Sequence, residues 1–211
     1  DVGVLIPLVQ CLGQSKIMNT KMAACAGISC IACASENEEI LASEDVGLVK
    51  VLLVLMRNEK NVDLRAGACS ILSNLALSPF NKVHFGDPSA SMVVQTLIVV
   101  MLEDFGDART HASAAIKSLT VSPINKPRMI KSELGLLNCL AKVIRRDRGT
   151  ARQYCCSAIS NLAVCVDNKI IMGRSDLGII KGLQDVITED FGESRMLVLH
   201  SVTWQLQHKT N

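Results

Sequence analysis

ILSNLALSPFNK, residues Ile71 to Lys82, is followed by IKSLTVSPINK from Ile116 to Lys126 and by ISNLAVCVDNK from Ile159 to Lys169. The asparagines near the end of each phrase, Asn81, Asn125 and Asn168, continue a series that begins at Asn37, with spacings of 44, 44 and 43 residues. A second marker keeps the same period. The apolar runs open at Gly3, Gly47, Ser91, Gly135 and Gly178, spaced 44, 44, 44 and 43. Two independent markers with one period are the signature of a repeat architecture. They divide the 211 residues into five units, about 3–46, 47–90, 91–134, 135–177 and 178–211, which we read as a single domain. The chain starts and stops within the pattern, and is read as part of a longer protein.

Inside a unit, GLVKVLLVLMRN reads as one helix and VDLRAGACSILSNLALS as a second, longer one. Ala68, Leu72 and Leu75 fall at i, i+4 and i+7, on one face. The same column holds Ala24, Ile28 and Ile31, then Ala112, Ile116 and Leu119, then Cys155, Ile159 and Leu162, and fades to Leu199, Thr203 and Leu206. Ser-Pro at 78–79 and 122–123 ends the long helix, and a short helical piece follows it. One such unit cannot bury its own apolar face, so neighbours must cover it. The expected fold is an all-α solenoid.

Composition agrees with tightly spaced helices. Apolar residues make up 49% of the chain, yet only 3% are aromatic, so the core is aliphatic. Mean hydropathy is +0.30, but the most apolar windows, 49–56 and 92–102, fall short of the roughly 20 residues of a membrane span. Net charge is +2, which points to no partner by itself. The nine cysteines are odd in number and mostly on apolar helical positions, as expected of buried, reduced thiols in the cytoplasm or nucleus.

The Gly-opened helix, the A-x-x-x-(L/I)-S-N-L-A tail and the Asn, at this period, resemble the armadillo repeat. The likeness covers essentially the whole chain and is clearest in RAGACSILSNLALSPFNK and YCCSAISNLAVCVDNK. It implies a right-handed α-solenoid whose inner helices line a concave, peptide-binding groove. By that resemblance the groove residues are Ser70, Asn74, His111, Ser118, Tyr154, Ser157, Asn161 and Gln205. Asn74 and Asn161 match the asparagine that holds a ligand's backbone in peptide-binding members. Importin-α carries a Trp four residues before that asparagine, where this chain has Ser70 and Ser157, so recognition of nuclear localisation signals is not implied. The function implied is a scaffold or adaptor for proteins. The alternatives are a regulatory arm of a larger enzyme, such as a ubiquitin ligase or an autoinhibited enzyme, and a clasp on a folded ATPase or GTPase.

Other motifs are explained by the repeat. EDFG at 103–106 and 189–192 is not a kinase element, because RDRG at 146–149 holds the same place and no phosphate loop accompanies it. No nucleophile elbow or P-loop is found, so no enzyme and no cofactor are expected. Cys25, Cys30 and Cys33 lack the second ligand pair of a zinc site. A basic residue opens every long helix: Lys21, Arg65, Arg109, Arg152 and Arg195. A cation there opposes the helix dipole, so contacts between adjacent units are expected to compensate. Residues 117–152 hold nine cations and two anions. Within them Lys117, Arg145, Arg146, Arg148 and Arg152 form a candidate patch for an acidic protein segment. Few aromatics accompany the charges, which argues against nucleic acid.

Overall fold

The computed structural model describes residues 2–89, 92–189 and 195–196. Every regular element among them is helical. The order is α1 (Val2–Gln14), α2 (Met18–Ile31), α3 (Glu38–Ala42), α4 (Leu48–Asn58), α5 (Val62–Leu75), α6 (Pro79–Phe85), α7 (Val93–Glu103), α8 (Gly106–Val121), α9 (Asn125–Met129), α10 (Leu136–Arg146), α11 (Thr150–Leu162), α12 (Val166–Met172) and α13 (Ile179–Glu189). Short, medium and long helices alternate. The long helices α2, α5, α8 and α11 pack side by side as an inner layer, and α1, α4, α7, α10 and α13 form the layer behind them.

The glycines that open the apolar runs have a backbone reason. Gly47, Gly135 and Gly178 precede α4, α10 and α13 with φ of 69°, 72° and 67°. Only a residue without Cβ takes this left-handed conformation at no cost, and it turns the chain sharply into the next helix. The core column is where the helical period puts it. Ala68, Leu72, Leu75, Ala112, Ile116, Leu119, Cys155 and Leu162 are fully buried, while Ile31, near the first edge of the stack, is only partly covered. Leu199, Thr203 and Leu206 lie outside the described residues.

Pro79 does more than stop α5. The helix ends at Leu75, and Pro79 sits in the first turn of α6, where its missing N–H is no loss. Buried Ser78 caps that helix, its Oγ accepting from the backbone N–H of Phe80 at 3.1 Å and of Asn81 at 3.3 Å.

The repeated asparagine joins one unit to the next. Asn81 Nδ2 donates to the Leu75 carbonyl at 3.0 Å and to that of Glu38, 43 residues earlier, at 2.9 Å. Asn125 bonds Leu119 and Lys82, and Asn168 bonds Leu162 and Lys126, in the same way. Each amide satisfies a carbonyl that its own long helix leaves unpaired at the C-terminus and one from the preceding short helix. All three asparagines are buried, which is why the residue recurs once per unit.

Candidate functional site

The inner helices expose a face of small residues. Between α2, α5 and α8 it dips into a depression of about 340 Å³ whose lining includes Met22, Ala26, Ser29, Gly67, Ser70 and His111. Helix approach is close here: a Cβ on Gly67 would stand 2.6 Å from Cys25 Sγ. Asp63 and Asp107, from the first turns of α5 and α8, also line the depression. They were missed in the sequence, although they stand one period of 44 residues apart. Their charges suit the helix N-termini they occupy, and they bring two carboxylates to the groove.

Asn74 lies on the same inner face. Its Nδ2 is 3.8 Å from Cys33 Sγ. Asn161 Nδ2 reaches back to Thr120 Oγ1 at 3.2 Å and to the Lys117 carbonyl at 3.4 Å. The side-chain oxygens of both make no hydrogen bond among the described residues. Lys117 lies over the Tyr154 ring, its ammonium 5.0 Å from the centroid, a cation–π contact that fixes both side chains on the groove wall. Ser157 is half-buried and bonds the Gln153 carbonyl within its own helix at 3.0 Å. Ser118 departs from expectation. It occupies the place of Asn74, but it is buried, because so short a side chain cannot reach solvent between the flanking inner helices. Gln205 lies outside the described residues.

The basic residues opening the long helices pair with acids that end the medium helices of the following unit. Lys21 Nζ is 3.1 Å from Glu59 and Arg109 Nη1 is 3.1 Å from Asp147. Arg65 forks onto both Asp104 oxygens, with Nε 3.0 Å from Oδ2, and also donates to the Glu59 carbonyl at 2.7 Å. Arg152 lies 3.4 Å from Glu189. A cation near a helix N-terminus and an anion near a helix C-terminus each oppose the local dipole, and the pairing offsets both. The Asp104 carboxylate raises the Arg65 pKa above its ordinary value. Backbone N–H of Asn61 and the Lys21 ammonium lower that of Glu59. EDFG thus supplies an ion partner, Asp104, followed by a left-handed Gly106 with φ of 62°.

The candidate basic patch is smaller than the sequence suggests. Arg152 is fully buried beneath its ion pair, so it cannot meet a partner. Arg148 also bonds Glu189, at 2.9 Å. Arg145 folds back to the Ala141 carbonyl and packs over Gly178. Arg146 is exposed and has no ion partner among the described residues.

The cysteines divide into two groups. Cys25, Cys69, Cys139, Cys155 and Cys156 are buried and Cys165 is half-buried, in line with the expectation that most are core residues, while Cys11, Cys30 and Cys33 are exposed. Burial pushes the Cys69 and Cys139 thiols up to about 12. Among the described residues no cluster of His, Cys, Asp and Glu could hold a metal ion, and no helix is long and apolar enough to cross a membrane.

No family model and no curated protein sequence matches the chain. Solved structures do match by fold. A computationally designed armadillo repeat protein for modular peptide recognition superposes with a TM-score of 0.81 at 18% identity, over 95% of this chain and 82% of that one. A designed armadillo repeat protein in complex with the peptide (KR)4 superposes with a TM-score of 0.79 at 17% identity, over 94% of this chain and 80% of that one. UNC-45 from Drosophila melanogaster superposes with a TM-score of 0.81 at 15% identity, over all of this chain and 26% of that one. These likenesses, the all-helical architecture and the period together establish the fold: this chain is a right-handed, armadillo-like α-solenoid.

Proposed function

We propose that the chain is a protein-binding scaffold whose five units act as one domain and whose concave face takes an extended peptide. The observation that carries this reading is the groove of small residues bounded by Asp63 and Asp107, one repeat apart, with Asn74 alongside. An extended peptide buries backbone amides that need partners, and the oxygen of Asn74 is placed to accept from one. Cationic side chains of the peptide would meet Asp63 and Asp107. An acidic segment has no comparable counterpart in this half of the groove. The designed relative that binds (KR)4 supports a peptide ligand of this character. The two carboxylates, rather than the loop arginines, then set the charge preference of the site.

The test is fluorescence polarisation with a labelled peptide of alternating Lys and Arg and with an acidic counterpart. The basic peptide is expected to bind more tightly. Replacing Asp63 and Asp107 by Asn should weaken it about tenfold or more, because charge-assisted hydrogen bonds contribute about 1.5–3 kcal/mol each. Equal binding of both peptides, unchanged in the double variant, would remove the groove from consideration.

A further inference from the structure

A second surface runs along the edge where the inner helices end. At the close of α5, Leu77 and Phe80 are 52% and 69% exposed. One period on, Val121 and Ile124 are 51% and 50% exposed, and after α11 Val164 and Val166 are 49% and 69% exposed. Six large apolar side chains in solvent, two per unit, are more than scattered surface residues. Five stand at matching places, while Val166 lies one residue before Asp167, which holds the place of Phe80 and Ile124. Hydrogen bonds set the units in one row: Asn125 Nδ2 donates to the Lys82 carbonyl at 2.7 Å, and Asn168 Nδ2 to that of Lys126 at 3.2 Å.

A lysine accompanies each apolar pair. Lys82, Lys126 and Lys169 stand one after each repeated asparagine, 44 and 43 residues apart, and all are half-exposed. Lys82 Nζ lies 2.8 Å from the Leu77 carbonyl, which places its ammonium beside the apolar pair. Two acids stand at the row: Asp167, and Glu39, whose carboxylate accepts from Ser78 Oγ at 3.0 Å beside the first apolar pair. Arg128 is paired with Asp87 at 3.1 Å. In the first unit the matching places hold Cys33, Glu36 and Glu38, so the row is confined to units two to four.

The spacing selects the occupant. Packed helices lie about 8–10 Å apart, so each unit offers two apolar residues and one cation per step of that size. An α-helix advances about 10.5 Å in seven residues, and an amphipathic helix presents two apolar residues per heptad. We propose that this edge docks an acidic amphipathic helix of a partner protein. Its apolar seam packs along the Leu77–Val166 row, and its carboxylates face Lys82, Lys126 and Lys169. This site is separate from the groove, and its charge preference is the opposite one.

The experiment measures binding of a labelled 21-residue peptide with Leu at both seam positions of each heptad and Glu elsewhere. A Lys-for-Glu version serves as the control. The acidic peptide is expected to bind, and the basic one to bind at least tenfold more weakly at this edge. Phe80→Ser with Ile124→Ser should weaken the acidic peptide at least tenfold, and so should Lys126→Glu with Lys169→Glu. Both pairs should leave the thermal transition and the binding of the alternating Lys-Arg peptide in the groove unchanged, which separates this site from the first. Affinity for the acidic peptide that ignores both pairs of substitutions overturns the proposal. So does a chain that ignores the acidic peptide but binds vesicles of phosphatidylserine and phosphatidylcholine, or self-associates in sedimentation, through the same residues.

Discussion

Arg65 and Asp104 are 39 residues apart in the chain, yet Arg65 Nε donates to Asp104 Oδ2 at 3.0 Å, joining the inner helix of one unit to the end of a helix in the next. Both side chains are largely covered, with 17% and 12% of their surface exposed. Replacing Arg65 by Leu should cost about 1–3 kcal/mol, because it leaves a partly buried carboxylate without its main partner. Replacing both Arg65 and Asp104 by Leu should cost less than either single change. Urea denaturation of the two single variants and the double variant measures the coupling. Strict additivity would mean that the pair does not join the units.

Glu59 gives the ladder a pH dependence. Its folded pKa is held below the ordinary 4.5 by the Asn61 N–H and Lys21. A carboxylate stabilised in the folded state contributes fully above its unfolded pKa, and that contribution is lost as pH falls through the lower folded value. Wild type should therefore exceed Glu59→Gln in stability at pH 7, and the gap should shrink as the pH drops below about 4.5. Chemical denaturation of both proteins between pH 7 and 3 gives the comparison. A gap that does not depend on pH would assign the effect of the substitution to packing.

Asn125→Ala removes two donors at once: it strands the Leu119 carbonyl and leaves the Lys82 carbonyl with only the Gly86 N–H at 3.0 Å. At about 1–3 kcal/mol for a buried group left unsatisfied and about 1 kcal/mol for the second hydrogen bond lost, the loss should be on the order of 2–4 kcal/mol. Asn125→Asp should be at least as damaging at pH 7, since an ionised carboxylate cannot donate. Thermal unfolding followed by circular dichroism decides both points. A melt like that of wild type in either variant would mean the amide does not hold the units together.

Leu72→Asp places an unpaired charge in a position with no solvent exposure. The cost should be several kcal/mol, comparable with the whole stability of a domain. Loss of the cooperative transition in calorimetry is the expected result, whereas Leu72→Met should retain it.

Thiol labelling sorts the cysteines. Cys11, Cys30 and Cys33 should react with a maleimide in the native protein within the mixing experiment. Cys69 and Cys139, with thiols pushed up to about 12, should react only as the chain unfolds. Mass spectrometry of peptides from labelled native and denatured samples reads this directly. Early labelling of Cys69 would contradict its place in the core.

Much of the fold was legible because a repeat writes the same local instruction several times. Apolar spacing fixed the buried column through Ala68, Leu72 and Leu75, since a helix's period of 3.6 residues allows one inward face. The asparagine and the glycine recurred because each meets a local backbone need: a carbonyl at a helix end, and a left-handed turn that a side chain would strain. The partners of the basic ladder were not legible. Glu59, Asp104, Asp147 and Glu189 are spaced 45, 43 and 42, a drift that hides the column, and their pairing exists only once one unit is laid against the next. For the same reason the sequence placed Arg152 in a surface patch and Ser118 in the groove. Stacking buried both, and it brought Asp63 and Asp107 to one depression. Local chemistry settles which residues bend or face inward in a chain like this one. Which charges are paired, which thiols are covered and which side chains share a surface depends on the distance and angle between successive units, and only the packed tertiary structure sets these.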